Sequence, residues 1–495
     1  MKKNLVLKER QLCLKNTPNF VNSPKLLYLY DEGKNHNMER KETWKFPRAF
    51  WVANTVELFE RAAYYGVFIV ITLYLSRIIG FGDIEAATIA GTFSAILYLL
   101  PTFAGAYADK IGFRKSLMLA FGLLTLGYAG MGILPTFFES AGLAKYSDTT
   151  VFTGLETSGY RYAILPAMAL IILGGSFIKS VITGTVAKET TQDNRARGYS
   201  IFYAMVNIGA FSGKTIVKPL REAMGNEGLV WISYFSALMT LLGLLVVFFM
   251  YTSKKHEGEG KTIGQLLDSF FHVITNFRLV ILILIITGFW MVQHQMYATM
   301  PKYVLRLAGE GASPSWYANV NPLVVFTMVG FVTHFMRKRT ALFSMTVGML
   351  IMPVSALFMA SGNMMNGEIL GMHPVAFMMV VGIAFQGFAE TFISPRFLEY
   401  FSLQAPKGEE GLYLGFSHLH SFLSSILGFV MSGVLLDKYC PNPRLFKTHE
   451  EWTAAASHAH YIWFYFVGIA MISAIALIIY GQVVKRIDGK KQISV

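Results

Sequence analysis

The chain has 495 residues, of which 54% are hydrophobic and only 15% are charged. Charged residues normally make up close to a quarter of a soluble globular protein, so this composition excludes an ordinary soluble domain and indicates a polytopic membrane protein. The formal net charge of +13 fits cationic loops that face anionic lipid, and we expect membrane lipid rather than nucleic acid as a partner.

The first 48 residues are polar and predict a cytosolic N-terminal tail over 1–48. They lack the continuous apolar core and the small-residue cleavage site of a secretory signal peptide. Within this tail, Met38 is a second candidate start of translation.

Apolar runs long enough to cross a bilayer as a helix follow the tail and recur about twelve times. The first six lie near 50–77, 84–108, 114–137, 160–187, 198–217 and 228–252. The second six lie near 278–304, 317–336, 340–361, 373–395, 411–436 and 459–483. We therefore predict an N-terminal six-helix bundle over 49–252, a cytosolic linker over 253–277, a C-terminal six-helix bundle over 278–488 and a cytosolic tail over 489–495.

Lysine and arginine concentrate before span one and after spans two, four, eight and twelve. Short cationic loops stay preferentially on the cytoplasmic side, which predicts a multi-pass protein of the plasma (inner) membrane with both termini in the cytoplasm. Cys13 and Cys440 then fall on opposite sides of the membrane, and we expect no disulfide between them.

The stretch VELFERAAYYG places Glu57, Glu60 and Arg61 inside the first span. On a helix these charges share one face with Tyr64 and Tyr65, because the spacing is i, i+3, i+4, i+7 and i+8. A charge left in lipid costs roughly 2.5–3.5 kcal/mol, so this face is predicted to line a protein interior or a watery pathway. Two acids beside one base favour a protonated carboxyl group, as proton coupling requires; a purely structural ion network is the alternative.

Two loop sequences, GAYADKIGFRKSLM and GFVTHFMRKRTALF, align Gly105 with Gly330 and Arg114 with Arg339. The repeat indicates two parallel halves, and the first copy, which includes Asp109, resembles the loop signature of the major facilitator superfamily. This resemblance implies an all-α membrane protein with the major facilitator fold, about twelve transmembrane helices in two six-helix bundles and a substrate site between the halves.

Motifs from residue 45 to the end resemble those of the proton-dependent oligopeptide transporter (POT/PTR) family. The first-span motif E-x-x-E-R-x-x-Y-Y-G resembles the family's first-helix signature. Further matches, in the family's order, are YLLPTFAGAYAD, GGSFIKSVITG, FYAMVNIGAFSG, FWMVQHQ, NPLVVF and AETFISPRFLEYFSLQAPKG. The resemblance implies a proton-coupled symporter that imports di- or tripeptides, or peptide-like small molecules, by alternating access.

The resemblance also assigns roles to individual residues. It implies proton coupling by Glu57, Glu60 and Arg61. It implies substrate binding by Tyr64, Tyr65, Tyr98, Lys179, Asn207, His294, Gln295, Asn321 and Glu390. Lys179 and Arg61 would face the peptide carboxylate and Glu390 the amino group, so that a zwitterion neutralises charges in a low-dielectric cavity. Gly105, Asp109 and Arg114 would form the conformational loop motif, and no cofactor or metal is expected.

Some positions depart from the family pattern. Phe68 stands where an arginine is usual and His294 where an acid is usual, so both partners of the expected ion pair across the outer gate are missing together. If His294 lines the cavity, its titration near neutral pH could take part in gating; a neutral, packed histidine is the alternative. Ser417 replaces an expected aromatic residue, with His418 and His420 nearby.

These departures leave alternatives open. A non-peptide substrate, such as nitrate or another small metabolite, is one, and an uncoupled facilitator is another. An intramembrane metalloenzyme that uses His294, His418 and His420 is disfavoured, because positions i and i+2 point to different helix faces and no H-E-x-x-H motif occurs. We expect a monomeric transporter, not an enzyme, whose partners are protons and a small molecule.

Overall fold

The computed structural model describes residues 45–146, 155–191, 194–252, 264–265, 271, 274–404 and 410–493. The predicted tail up to residue 44, with Cys13 and Met38, lies outside the described residues, as does most of the predicted linker. The described chain is built of helices, and the predicted all-α fold class is confirmed.

Six long helical segments follow one another in the first half, in the order in which the apolar runs predict them. They are α1 (Arg48–Phe68, continued as Ile71–Arg77), α2 (Asp83–Leu99, continued as Pro101–Ile111), α3 (Phe113–Ser140), α4 (Ile164–Lys188), α5 (Arg195–Met224) and α6 (Glu227–Met250).

The second half repeats this arrangement. Its segments are α7 (Phe277–Gln293, continued as Gln295–Ala298 and Met300–Ala308), α8 (Val320–Met336, preceded by the short helix Pro314–Tyr317), α9 (Ala341–Ser361), α10 (Pro374–Gln404), α11 (Glu410–Ser417, continued as Leu419–Tyr439) and α12 (Tyr461–Ile493).

Each predicted span coincides with one of these segments. In the described part of the chain, nine helices are long and apolar enough to cross a membrane, and α1, bent by 48° between its two parts, makes a tenth. The two parts of α2, with 17 and 11 residues, are each shorter than a bilayer-spanning helix of about 20 residues. Polar side chains, among them Asn207 and Lys214, make α5 less apolar than its neighbours.

Helices pack mainly against others of their own half. In the first half α1 contacts α5 and α6, and α3 contacts α4 and α6; in the second half α9 contacts α10 and α12. The halves meet through α2 and α11, and through α5 and the short helix Pro314–Tyr317. The exact bundle and linker boundaries stay a prediction.

Two glycines of α5 set its distance from α1. A Cβ atom at Gly213 would lie 2.2 Å from the carbonyl oxygen of Ala62, and one at Gly209 would lie 2.6 Å from that of Leu58. Small residues four positions apart allow such close backbone approach between membrane helices. The glycines thus bring α5 directly against the charged face of α1.

Candidate functional site

Two buried acids and one arginine form the centre of the charged face on α1. Nε of Arg61 lies 3.2 Å from Oε1 of Glu57, and the same guanidinium hydrogen bonds the carboxylate of Glu60. Glu57 is 3% exposed and Glu60 is 2% exposed. Oε2 of Glu57 has no hydrogen-bond partner in the described part of the chain. We call Glu57, Glu60 and Arg61 the acid cluster; its free oxygen is a position that a proton can occupy.

Aromatic rings and a lysine surround the acid cluster. The guanidinium of Arg61 lies 5.5 Å from the ring centre of Tyr64. Nζ of Lys179 lies 4.9 Å from the ring centre of Tyr98, and Lys179 interacts electrostatically with both carboxylates of the cluster. α1, α2 and α4 therefore bring the predicted coupling residues and three predicted binding residues together.

A cavity of about 190 Å³ lies beside this region, between the two halves. Four predicted binding residues line it, namely Tyr65, Asn207, Asn321 and Glu390, together with Tyr203, Lys214 and Tyr297. Oε2 of Glu390 accepts hydrogen bonds from the side-chain amides of Gln293 at 2.9 Å and Asn321 at 3.3 Å. The cavity, called the Glu390 cavity below, thus combines one acid and one lysine with neutral hydrogen-bonding groups.

Two predicted residues of α7 do not line the Glu390 cavity. The amide of Gln295 donates to the carbonyl oxygens of Met291 at 2.7 Å and Gly428 at 3.1 Å, which ties α7 to α11. His294 is 5% exposed; its Nδ1 lies 3.4 Å from Oγ of Ser424, and its ring packs 6.4 Å from that of Tyr98. Gln293, the residue before His294, donates instead to Glu390.

The prediction from sequence missed Gln293, Lys214 and Tyr297. Lys214 carried a usable signal, because a lysine within a span of apolar residues is costly unless it faces a cavity or a partner. Gln293 and Tyr297 carried no such signal, since neutral polar and aromatic residues are common in membrane helices.

The histidines of α11 also lie near α7. The ring of His420 stacks on that of Trp290 with centres 5.3 Å apart, and His418 lies 6.4 Å from His420. In the described residues, no group of three or more His, Cys, Asp or Glu side chains is placed to hold a metal ion.

The predicted loop motif covers the end of α2 and the start of α3: Gly105 and Asp109 lie in the second part of α2, and Arg114 lies in the first turn of α3. A Cβ atom at Gly105 would lie 3.1 Å from Cβ of Ser180, so α2 and α4 approach closely here. Nη2 of Arg114 donates to the carbonyl oxygen of Phe248 at 2.7 Å, which joins α3 to α6. The side chain of Asp109 lies outside the described residues.

At the opposite end, where α1 joins α2, ion pairs connect the two halves. We call this the first-loop end. Glu310, after α7, binds Arg77 of α1 at 2.6 Å and Arg221 of α5 at 2.8 Å. Asp83 of α2 binds two cations of α7, Lys302 at 2.7 Å and Arg306 at 2.8 Å. These contacts close the first-loop end.

Phe68 occupies a hydrophobic layer beneath these ion pairs. Its ring stacks on Tyr64 with centres 5.0 Å apart and lies 4.9 Å from Tyr297 and 6.0 Å from Phe429. Aromatic packing between α1, α7 and α11 thus stands where the family resemblance leads one to expect an ion pair.

The charge of Glu310 depends on its two arginines. Partial burial alone would raise the pKa of this carboxyl group, but the hydrogen bonds and charges of Arg77 and Arg221 lower the pKa below its ordinary value. Glu310 therefore stays ionised at neutral pH, and closure of the first-loop end favours its charged form.

A family profile described as the Major Facilitator Superfamily matches residues 55–372. The chain belongs to the Major Facilitator Superfamily. It is a multi-pass membrane protein, as its composition predicts.

Within the superfamily, the similar proteins are peptide transporters by name. Dipeptide and tripeptide permease A of Citrobacter koseri is 27% identical over 273 residues, which cover 53% of this chain and 48% of that protein. The chain thus spans about half the length of the curated relatives it matches in this way.

Solved structures extend the likeness over most of the chain. The POT family transporter PepTSo matches with a TM-score of 0.67 and 17% identity, over 89% of this chain and 99% of that one. PepTSo2, described as tetrameric, matches with a TM-score of 0.65 and 18% identity, over 89% and 98%. The predicted major facilitator fold and the resemblance to the POT family are confirmed.

Proposed function

We propose that this protein is a proton-coupled symporter that imports di- or tripeptides by alternating access. The observation that carries the proposal is the acid cluster, in which one guanidinium, 14% exposed, pairs with two buried carboxylates. Arg61 pairs directly with both acids, whereas Lys179 lies over the ring of Tyr98 and adds a weaker electrostatic attraction. One directly paired cation does not neutralise two buried acids, so a proton is favoured on one carboxyl group. A proton that binds and leaves with the transport cycle couples uptake to the proton gradient.

The charges around the site suit a zwitterionic substrate. Lys179 and Arg61 would bind the peptide carboxylate, and Glu390 would bind the amino group. Tyr65, Asn207 and Asn321 would hydrogen bond the peptide backbone, which is common to all peptides and would leave side chains free to vary. The names of the relatives support a peptide rather than nitrate or another metabolite.

The proposed orientation in the membrane follows from the distribution of cationic loops, and the monomeric state is proposed beside it. The protein acts as a monomer in the plasma (inner) membrane, with both termini in the cytoplasm and the first-loop end outside. It is a carrier rather than an enzyme, since the proposed cycle moves a solute without changing its bonds.

Purified protein in liposomes tests the coupling. We expect Glu57→Gln and Glu60→Gln each to abolish accumulation driven by an inward proton gradient while counterflow exchange continues, because a carboxamide cannot carry the proton. Glu222→Gln is the matched control, since Glu222 is an exposed partner of Lys218, and it should accumulate substrate normally. Accumulation at the wild-type rate by both cluster variants would contradict proton coupling here, and wild-type uptake without any gradient dependence would indicate a facilitator.

A further inference from the structure

Lys214 is a buried cation that the proposed transport cycle leaves without a role. It lies seven residues after Asn207 on α5, so the two side chains share a helix face, and both line the Glu390 cavity. Lys214 is only 2% exposed. Its Nζ lies 5.3 Å from the ring centre of Tyr65 and 5.8 Å from that of Tyr297.

The ammonium group of Lys214 is incompletely satisfied. It has three N–H donors, and in the described part of the chain one acceptor is present, the carbonyl oxygen of Ala318 at 3.3 Å. Burying an ammonium group is costly unless an anion and hydrogen bonds compensate it. Glu390, the acid of this cavity, uses Oε2 to accept from two neutral amides. An anionic group that enters the cavity can therefore complete the environment of Lys214.

The size of the cavity limits which substrate can supply this anion. At about 190 Å³ it holds one end of a small peptide, with Glu390 and Lys214 in its walls. In the proposed binding mode, Glu390 takes the peptide ammonium. An aspartate or glutamate as the first residue of the peptide carries a side-chain carboxylate only a few bonds from that ammonium. Such a residue presents both charges to the same small cavity.

We infer that Lys214 binds the side-chain carboxylate of the substrate's first residue, so that the carrier prefers peptides with an acidic amino-terminal residue. This inference rests on the proposed function and adds a substrate preference to it. With a neutral first residue, Glu390 is the acid that attracts Lys214, and in the proposed binding mode it is shared with the peptide ammonium. An acidic second residue places its carboxylate at the other end of the substrate.

Three peptides of nearly equal size separate these cases. Glutamyl-alanine carries the carboxylate at the first residue, glutaminyl-alanine replaces it with an isosteric amide, and alanyl-glutamate carries it at the second residue. We expect wild-type protein in detergent to bind glutamyl-alanine about tenfold more tightly than glutaminyl-alanine, the size expected for one charged hydrogen bond. Isothermal titration calorimetry measures the three dissociation constants.

Variants of Lys214 test whether this residue causes the preference for an acidic first residue. Lys214→Gln should remove the preference by weakening glutamyl-alanine alone, and Lys214→Arg, which keeps the charge, should retain most of it. Lys218→Gln is the matched control, because Lys218 lies one turn along α5 over the ring of Trp316 and does not line the Glu390 cavity. It should leave the preference unchanged.

The outcomes distinguish this inference from the proposed function. If wild-type protein binds all three peptides equally, or if Lys214→Gln weakens all three by the same factor, the inference is wrong while peptide binding stands. If wild-type protein binds none of the three, peptide transport is itself wrong and the inference with it. If Lys214→Gln does not fold, equal binding of glutamyl-alanine and glutaminyl-alanine by wild-type protein still overturns the inference.

Discussion

At the scale of single residues, Arg61 links the binding of substrate to the binding of a proton. Its guanidinium contacts Glu57 and Glu60 at the same time, and in the proposed cycle it also faces the substrate carboxylate. A carboxylate that arrives at Arg61 competes with the two glutamates for one cation. Substrate binding therefore favours protonation of a glutamate, and protonation frees Arg61 to bind substrate, which is reciprocal coupling between two ligands.

A variant of Lys179 tests whether this residue binds the carboxylate of the peptide substrate. We expect Lys179→Gln to weaken binding of alanyl-alanine about tenfold, because a charged hydrogen bond to the carboxylate is lost. Binding of alanyl-alanine amide, which lacks that carboxylate, should change little. Calorimetry with both ligands measures the ratio.

Lys218→Gln again serves as the control for Lys179→Gln. An equal loss for the acid and the amide would mean that Lys179 stabilises the fold or the cavity rather than the carboxylate. Unchanged binding of both ligands would remove Lys179 from the substrate site altogether.

At the scale of helices, the contact between α1 and α5 determines how the site is assembled. Gly209 and Gly213 bring α5 against the backbone of α1, which places Arg61 and Tyr65 beside the face of α5 that carries Asn207 and Lys214. We expect Gly213→Ala to lower the free energy of unfolding by about 1–3 kcal/mol, because the added methyl group would overlap a main-chain oxygen. Thermal unfolding in detergent measures the effect.

The matched control for Gly213→Ala is Gly122→Ala on α3. A Cβ atom at Gly122 meets nothing within 4 Å, so alanine there should be neutral or stabilise the helix by about 0.5–1 kcal/mol. Equal unfolding temperatures for the two variants would show that α1 and α5 can separate without loss.

The helices also show how much of the fold the sequence alone predicts. Apolar runs reveal most of the membrane helices, because the bilayer demands a continuous apolar length. The signal is weakest for α2, which consists of two short parts, and for α5, which is less apolar than its neighbours. The 48° bend of α1 after Phe68 interrupts a run that remains apolar, so hydropathy does not detect it. Hydropathy also does not show which glutamine faces the cavity: the motif directed attention to Gln295, whereas Gln293 donates to Glu390.

The sequence alone also does not reveal which distant residues pair in the fold. Arg77 and Glu310 are 233 positions apart, and no spacing rule connects residues on different helices. By contrast, Glu57, Glu60 and Arg61 lie within two turns of one helix, and helical periodicity predicted that they share a face. Local geometry was therefore predictable, whereas the contacts between the halves required the fold.

At the scale of the whole molecule, Glu310 makes closure of the first-loop end depend on pH. Because pairing with Arg77 and Arg221 lowers the pKa of Glu310, its contribution to closure is fully present above the ordinary glutamate pKa of about 4.3. That contribution is lost as the pH falls through the lower pKa of the closed form. Spin labels at Tyr160→Cys and Leu445→Cys, exposed positions in the two halves, should move apart as the pH falls below about 4.3.

Glu310→Gln should show the longer distance already at pH 7 and lose this pH dependence, while Glu222→Gln should behave like the wild type. A label distance that responds to pH in the same way with and without Glu310 would assign the effect to another group.

Each ion-pair group at the first-loop end contains one acid and two cations, Asp83 with Lys302 and Arg306, and Glu310 with Arg77 and Arg221. In each group the acid lies between two cations that repel each other. Loss of the acid therefore removes two attractions and leaves that repulsion, whereas loss of one cation leaves the other ion pair in place. Each acid is thus the group whose loss breaks the most contacts between the halves.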